Sequence, residues 1–154
     1  MVLSGMFKSY AKGINSLIVL QNGARHIVLT SRTGRDGLFQ RGDITAQRLL
    51  GYLDSIEDLV IQTEAVDAAS LDAMAALVDG IPKSIGGCML LSVVLHDRTF
   101  TSMTAEGFEK PFSAKITAFE VINKVVDIAS LDFFITFSSV SGLFGNAGQT
   151  NYAG

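Results

Sequence analysis

The sequence predicts an α/β fold, a doubly wound parallel sheet of about five strands with helices on both faces. Three observations carry that prediction. Short, almost continuously apolar runs recur along the chain, segments of helical period lie between them, and hydrophobic residues reach 48% against 18% charged. Nearly unbroken apolar runs suit strands buried on both faces, as in parallel sheets. Their alternation with helices implies right-handed crossovers. The 154 residues suffice for one core, so a single domain is expected over 1–154.

HIVLTSR (26–32), DLVIQTEAV (58–66), CMLLSVVL (88–95) and DFFITFSS (132–139) read as strands, following a first strand near the start. In MFKSYAKGINSLIVLQN (6–22), Phe7, Ala11, Ile14 and Ile18 form a stripe at helical spacing. SLDAMAALVDG (70–80) opens on a serine cap and closes on glycine. The segment 104–129 reads as helix, broken or bent near Pro111. RTGRDGLFQRGD (32–43) reads as one mobile surface loop.

Composition excludes several function classes. No window approaches the roughly 18 uninterrupted apolar residues of a membrane span, so the apolar surplus points to buried strands or a subunit interface. Net charge is −3, pI is about 5.2, and Lys and Arg do not cluster, which argues against nucleic acid as partner. The single cysteine, Cys88, lies in an apolar run and reads as a core thiol. No metal site is expected. The N-terminus lacks the basic-then-apolar layout of a signal peptide, so the expected location is cytoplasmic.

Ligands of such sheets sit beyond the carboxyl ends of the strands, here residues 3–13, 31–35, 93–100 and 138–152. Those regions carry a recognisable pattern. GARHIVLTSRTGR, MTAEGFEKPFSAKITAFEVI and SLDFFITFSSVSGLFGNAGQTNYAG resemble the ketoreductase domain of polyketide synthases, particularly fungal ones, within the short-chain dehydrogenase/reductase superfamily. The resemblance implies a Rossmann-like sheet. It also implies roles: Tyr152 as proton donor to a carbonyl oxygen, Ser139 as hydrogen-bond donor to the same oxygen, and Lys115 as their cationic partner. Arg32 matches the arginine that reads the 2′-phosphate of NADPH, and Asp67 the aspartate near the adenine. The chemistry of the trio is coherent in itself. A tyrosine of pKa about 10 works at neutral pH only beside a cation that stabilises its phenolate, and a serine hydroxyl adds a donor aimed at the oxyanion.

The sequence departs from that family in three places. The glycine-rich turn expected between first strand and first helix falls in GMFKSYAKG (5–13), where Met6, Phe7, Ser9 and Tyr10 occupy space a pyrophosphate needs. Leu91, Ser92 and Val93 replace a small-residue motif, and Leu95–His96–Asp97 stands where many relatives carry Leu-Asp-Asp. His96 is therefore a candidate acid–base at the site mouth. Finally, the family pattern NYAxxN, with its following helix, two further strands and lid, runs past Gly154, so the domain reads as truncated. An exposed apolar edge on the fifth strand would favour a homodimer or a synthase partner.

These departures order the functional expectations. The first is cofactor-independent acid–base chemistry on a polyketide-like carbonyl substrate (cyclisation, dehydration or isomerisation) by Tyr152, Ser139, Lys115 and His96. The alternative is NADPH-dependent reduction of a β-keto intermediate, with Arg32 and Asp67 at the cofactor. A third is a non-catalytic docking module of a synthase.

Overall fold

The structure of the chain, a computed structural model, describes residues 2–4 and 21–153. Among the described residues five parallel strands form one sheet: β1 (Val2–Ser4), β2 (His26–Ser31), β3 (Val60–Ala65), β4 (Gly87–Leu90) and β5 (Phe133–Thr136). Their order is β3-β2-β1-β4-β5. β1 is central, with Val2 opposite both Val28 and Cys88, and the chain reverses its direction of winding there. That is the switch point at which doubly wound sheets hold ligands.

Alternation along the strands builds two cores. Ile27 and Leu29 of β2 and Met89 of β4 face one side, where they meet Ala46, Leu50 and Leu53 of α2 (Ile44–Asp54). Val28, Cys88 and Leu90 face the other, against Met74 and Leu77 of α3 (Leu71–Asp79) and Val121 and Ile122 of α5 (Ala118–Val125). A strand with helices on both sides has no polar face, which is why these runs lack polar alternation. Burial pushes the Cys88 thiol up to about 12, consistent with an inert core residue.

Several elements differ from the sequence expectations. The stretch 32–43 is no continuous loop, because it contains the short helix α1 (Asp36–Gln40). α2 was not expected, although its signals are present: the Asp43 carboxylate accepts from Ala46 N at 3.0 Å, and Ala46, Leu50 and Leu53 recur at helical spacing. The run 88–95 is strand only as far as Leu90. Residues 6–20 of the proposed first helix and the altered turn at 5–13 lie outside the described residues.

The helix near Pro111 breaks as anticipated. α4 (Ala105–Phe112) passes into a π-helical turn, Ser113–Thr117, before continuing as α5. Proline lacks the N–H that would close its own turn, and π turns recur at functional sites. Among the described residues β5 lies at the sheet edge, with Ile135 39% exposed. Among the described residues no helix is long and apolar enough to cross a membrane.

Ile122 is fully buried where α5 meets the sheet. Ile122→Ala is expected to destabilise the chain by about 2–5 kcal/mol, read as a lower urea midpoint. An unchanged midpoint would contradict this packing.

Candidate active site

The carboxyl end of β5 opens on a cavity of about 150 Å³ lined by Lys115, Ser139 and Tyr152, with Phe112, Ile116 and Asn151. Three separate elements bring the trio together. Ser139 follows β5, and its Oγ accepts the backbone N–H of Ser141 at 3.2 Å, fixing the start of α6 (Ser141–Phe144). Tyr152 rides on α7 (Thr150–Ala153), with its N–H bonded to Gln149 O at 3.0 Å.

Lys115 comes from the π turn. Its ammonium donates to the backbone carbonyl of Phe137, just past β5, and the Ser92 hydroxyl donates to the Ala114 carbonyl. The widened turn is thus braced from both sides of the sheet end. Partial burial holds the Lys115 pKa below the ordinary lysine value, because desolvation disfavours the cation.

A second cavity, of about 240 Å³, lies at the carboxyl ends of β2, β3 and β4. Arg32 and Asp67, expected together at a nucleotide, share it with Ser31, Ser92, Val93 and Lys110. Ser31 is 8% exposed, and its Oγ has no partner among the described residues. Ser31 and Arg32 follow one another at the end of β2 and both line this cavity; a hydroxyl and a guanidinium are donors that a phosphate accepts from. Gly34 turns the chain here at φ +55, where a Cβ would stand 3.1 Å from Ala65 Cβ. The Asp67 carboxylate accepts from Ala69 N at 3.0 Å, which orders the loop after β3. The donor set therefore suits the phosphorylated end of NADPH.

The two cavities flank one helical segment. Ser113 and Ala114 line the second, while Phe112, Lys115 and Ile116 line the first.

His96 lines neither cavity. Its ring lies against Gly107 of α4, where an added Cβ would stand 2.8 Å from His96 Cδ2, and its carbonyl accepts from Asn151 Nδ2 at 3.0 Å. The neighbouring Asp97 accepts from Gln149 Nε2 at 2.9 Å, and Arg98 N–H bonds Gly148 O at 2.8 Å. The loop after β4 thus clasps the segment leading into Tyr152. Sequence reasoning missed Gln149 and Asn151, 8% and 4% exposed, because polar residues in NAGQTNYAG read like any surface loop. Ser31 was missed as well. Among the described residues no group of three or more His, Cys, Asp or Glu side chains is placed to hold a metal ion.

The depressed Lys115 pKa has a stability consequence. The folded state binds that proton less tightly than the unfolded state, so the penalty is full below the folded pKa and fades as pH rises towards the ordinary lysine range. The Tm difference between Lys115→Met and the unaltered chain is expected to move against the variant as pH rises from neutral to alkaline. A pH-independent difference would contradict the burial of this ammonium.

Comparison with known proteins converges on one family. The KR domain profile matches residues 3–154. The chain is 41% identical over 133 residues to highly reducing polyketide synthase stpks1 of Strobilurus tenacellus, covering 86% of this chain and 5% of that protein. It is 33% identical over 138 residues to erythronolide synthase EryA2 of Saccharopolyspora erythraea, covering 88% and 4%. Among solved structures, a ketoreductase domain from the bacillaene assembly line superposes with TM-score 0.84 at 27% identity, over 99% of this chain and 35% of that one. An A-type ketoreductase from a modular polyketide synthase gives 0.82 at 27%, over 99% and 31%. The chain therefore spans a small fraction of the synthases and about a third of the solved domains.

Proposed function

The chain belongs to the KR domain family of polyketide synthases, and on that premise we propose that residues 1–154 are part of a ketoreductase domain that reduces a β-keto polyketide intermediate with NADPH. The observation that carries the reading is the convergence of Tyr152, Ser139 and Lys115 on one cavity, separated by a single π turn from a cavity with Arg32 and Asp67. The relatives favour reduction over the cofactor-independent cyclisation, dehydration or isomerisation expected first from the sequence. Their own names are those of synthases, which supports a synthase as the assembly in which the domain works.

Ser31 and Arg32 would hold the 2′-phosphate, with Asp67 beside the adenine. Bound NADPH would supply a hydride to the carbonyl carbon. The chain's own groups handle the oxygen. Tyr152 gives its hydroxyl proton to the carbonyl oxygen, which completes the alcohol. The Ser139 hydroxyl donates a second hydrogen bond to that oxygen and stabilises its developing charge. Lys115, held by the Phe137 carbonyl, stabilises the tyrosinate left behind. His96, with its ring on Gly107, takes no part in the transfer.

With decalone as ketone, the chain is expected to consume NADPH, and Tyr152→Phe to lower kcat by about 100-fold or more. Unchanged turnover in that variant would remove Tyr152 from the mechanism. Arg32→Ala is expected to raise the KM for NADPH by about 10- to 100-fold, the worth of one charge-assisted hydrogen bond, with little change for NADH. An equal effect on both cofactors would displace Arg32 from the 2′-phosphate.

A further inference from the structure

We propose that Asn151 is a positioning residue that sets Tyr152 at its working distance from Lys115. The inference rests on the ketoreductase reading and extends it to a residue outside the reacting trio.

Asn151 is 4% exposed and lies in the helical turn that carries Tyr152. Its amide nitrogen donates to the His96 carbonyl at 3.0 Å and to the Gly107 carbonyl at 2.8 Å. Both partners only accept, so the NH₂ side of the amide must face them, and chemistry fixes the orientation of the group. Its Oδ1 is left buried without a partner among the described residues. Native proteins seldom tolerate such an orphan where nothing requires it.

What the arrangement achieves is a three-way junction. His96 belongs to the loop after β4, Gly107 to α4, and Asn151 to α7. α4 leads through the π turn to Lys115, so one NH₂ group couples the segment holding the tyrosine to the segment holding the lysine. The junction is tight from the other side as well. A Cβ on Gly107 would stand 2.8 Å from His96 Cδ2 and 3.1 Å from its Nε2, so an alanine there would have to displace the His96 ring. The Gln149–Asp97 and Gly148–Arg98 bonds fasten the same loop to the segment before the tyrosine. Neither reaches α4, whereas the Asn151 amide does, through the Gly107 carbonyl.

The test compares Asn151→Ala, Asn151→Ser and Gly107→Ala with the unaltered chain, using decalone and NADPH. Rates are normalised to the folded fraction, and the NADPH Kd is taken from fluorescence. A misplacement of about 1 Å costs on the order of 100-fold. The expected result is a kcat lowered about 10- to 100-fold in Asn151→Ala, a smaller loss in Asn151→Ser, which keeps one donor, and an unchanged NADPH Kd. Gly107→Ala should lower kcat in the same direction by forcing the His96 ring off its place at the junction while leaving the Asn151 side chain intact. A normal kcat in Asn151→Ala, or a loss matched by weaker NADPH binding, overturns the inference. An unaltered chain that reduces no ketone overturns the ketoreductase reading and the inference with it, whereas an active chain with active variants overturns the inference alone.

Discussion

The site depends on where one ammonium group can go. Lys115 is half-buried, and its Nζ is tied to the carbonyl of Phe137 beyond β5. Desolvating a cation is costly unless an acceptor meets it, so the helix bearing Lys115 must stay against the end of the sheet. The π turn is the means. It follows Pro111, projects Lys115 towards β5 and leaves the Ala114 carbonyl for the Ser92 hydroxyl. Move that turn, and both cavities lose a wall.

The sheet supplies the platform. Parallel pairing sends the ends of β2, β3, β4 and β5 to one edge, so residues distant in sequence share two neighbouring cavities. The strands are rigid because each face is covered: α2 on one side, α3 and α5 on the other. The polar groups are gathered in the loops past the strand ends, where backbone geometry is free to vary. A rigid apolar layer that ends in adaptable loops is what allows a half-buried lysine, a serine and a tyrosine to meet.

Much of this was legible in the sequence. β2, β3 and β5 fall within the apolar runs that announced them, and α3 begins after the serine expected to cap it, Ser70. Arg32 and Asp67, and likewise Tyr152, Ser139 and Lys115, were paired by motif and are brought to common cavities. β4 was overextended because CMLLSVVL stays apolar after Leu90 while its residues leave the sheet to line a cavity. α2 was hidden by the polar, glycine-rich stretch before it. His96 was drawn to the site mouth by its place in the motif, but its ring packs on Gly107. Gln149 and Asn151 act through bonds spanning 52 and 55 residues, and no local pattern encodes contacts of that range.

The central proposal is that this chain holds NADPH at the ends of β2 and β3, although its sequence reads GMFKSYAKG where the family pattern calls for a glycine-rich turn. A fluorescence titration of the chain with NADPH tests it most directly. The account predicts saturable binding in the micromolar range, about −8 kcal/mol. The absence of any binding at millimolar NADPH would contradict it, and Ser139, Tyr152 and Lys115 would then have no hydride to serve.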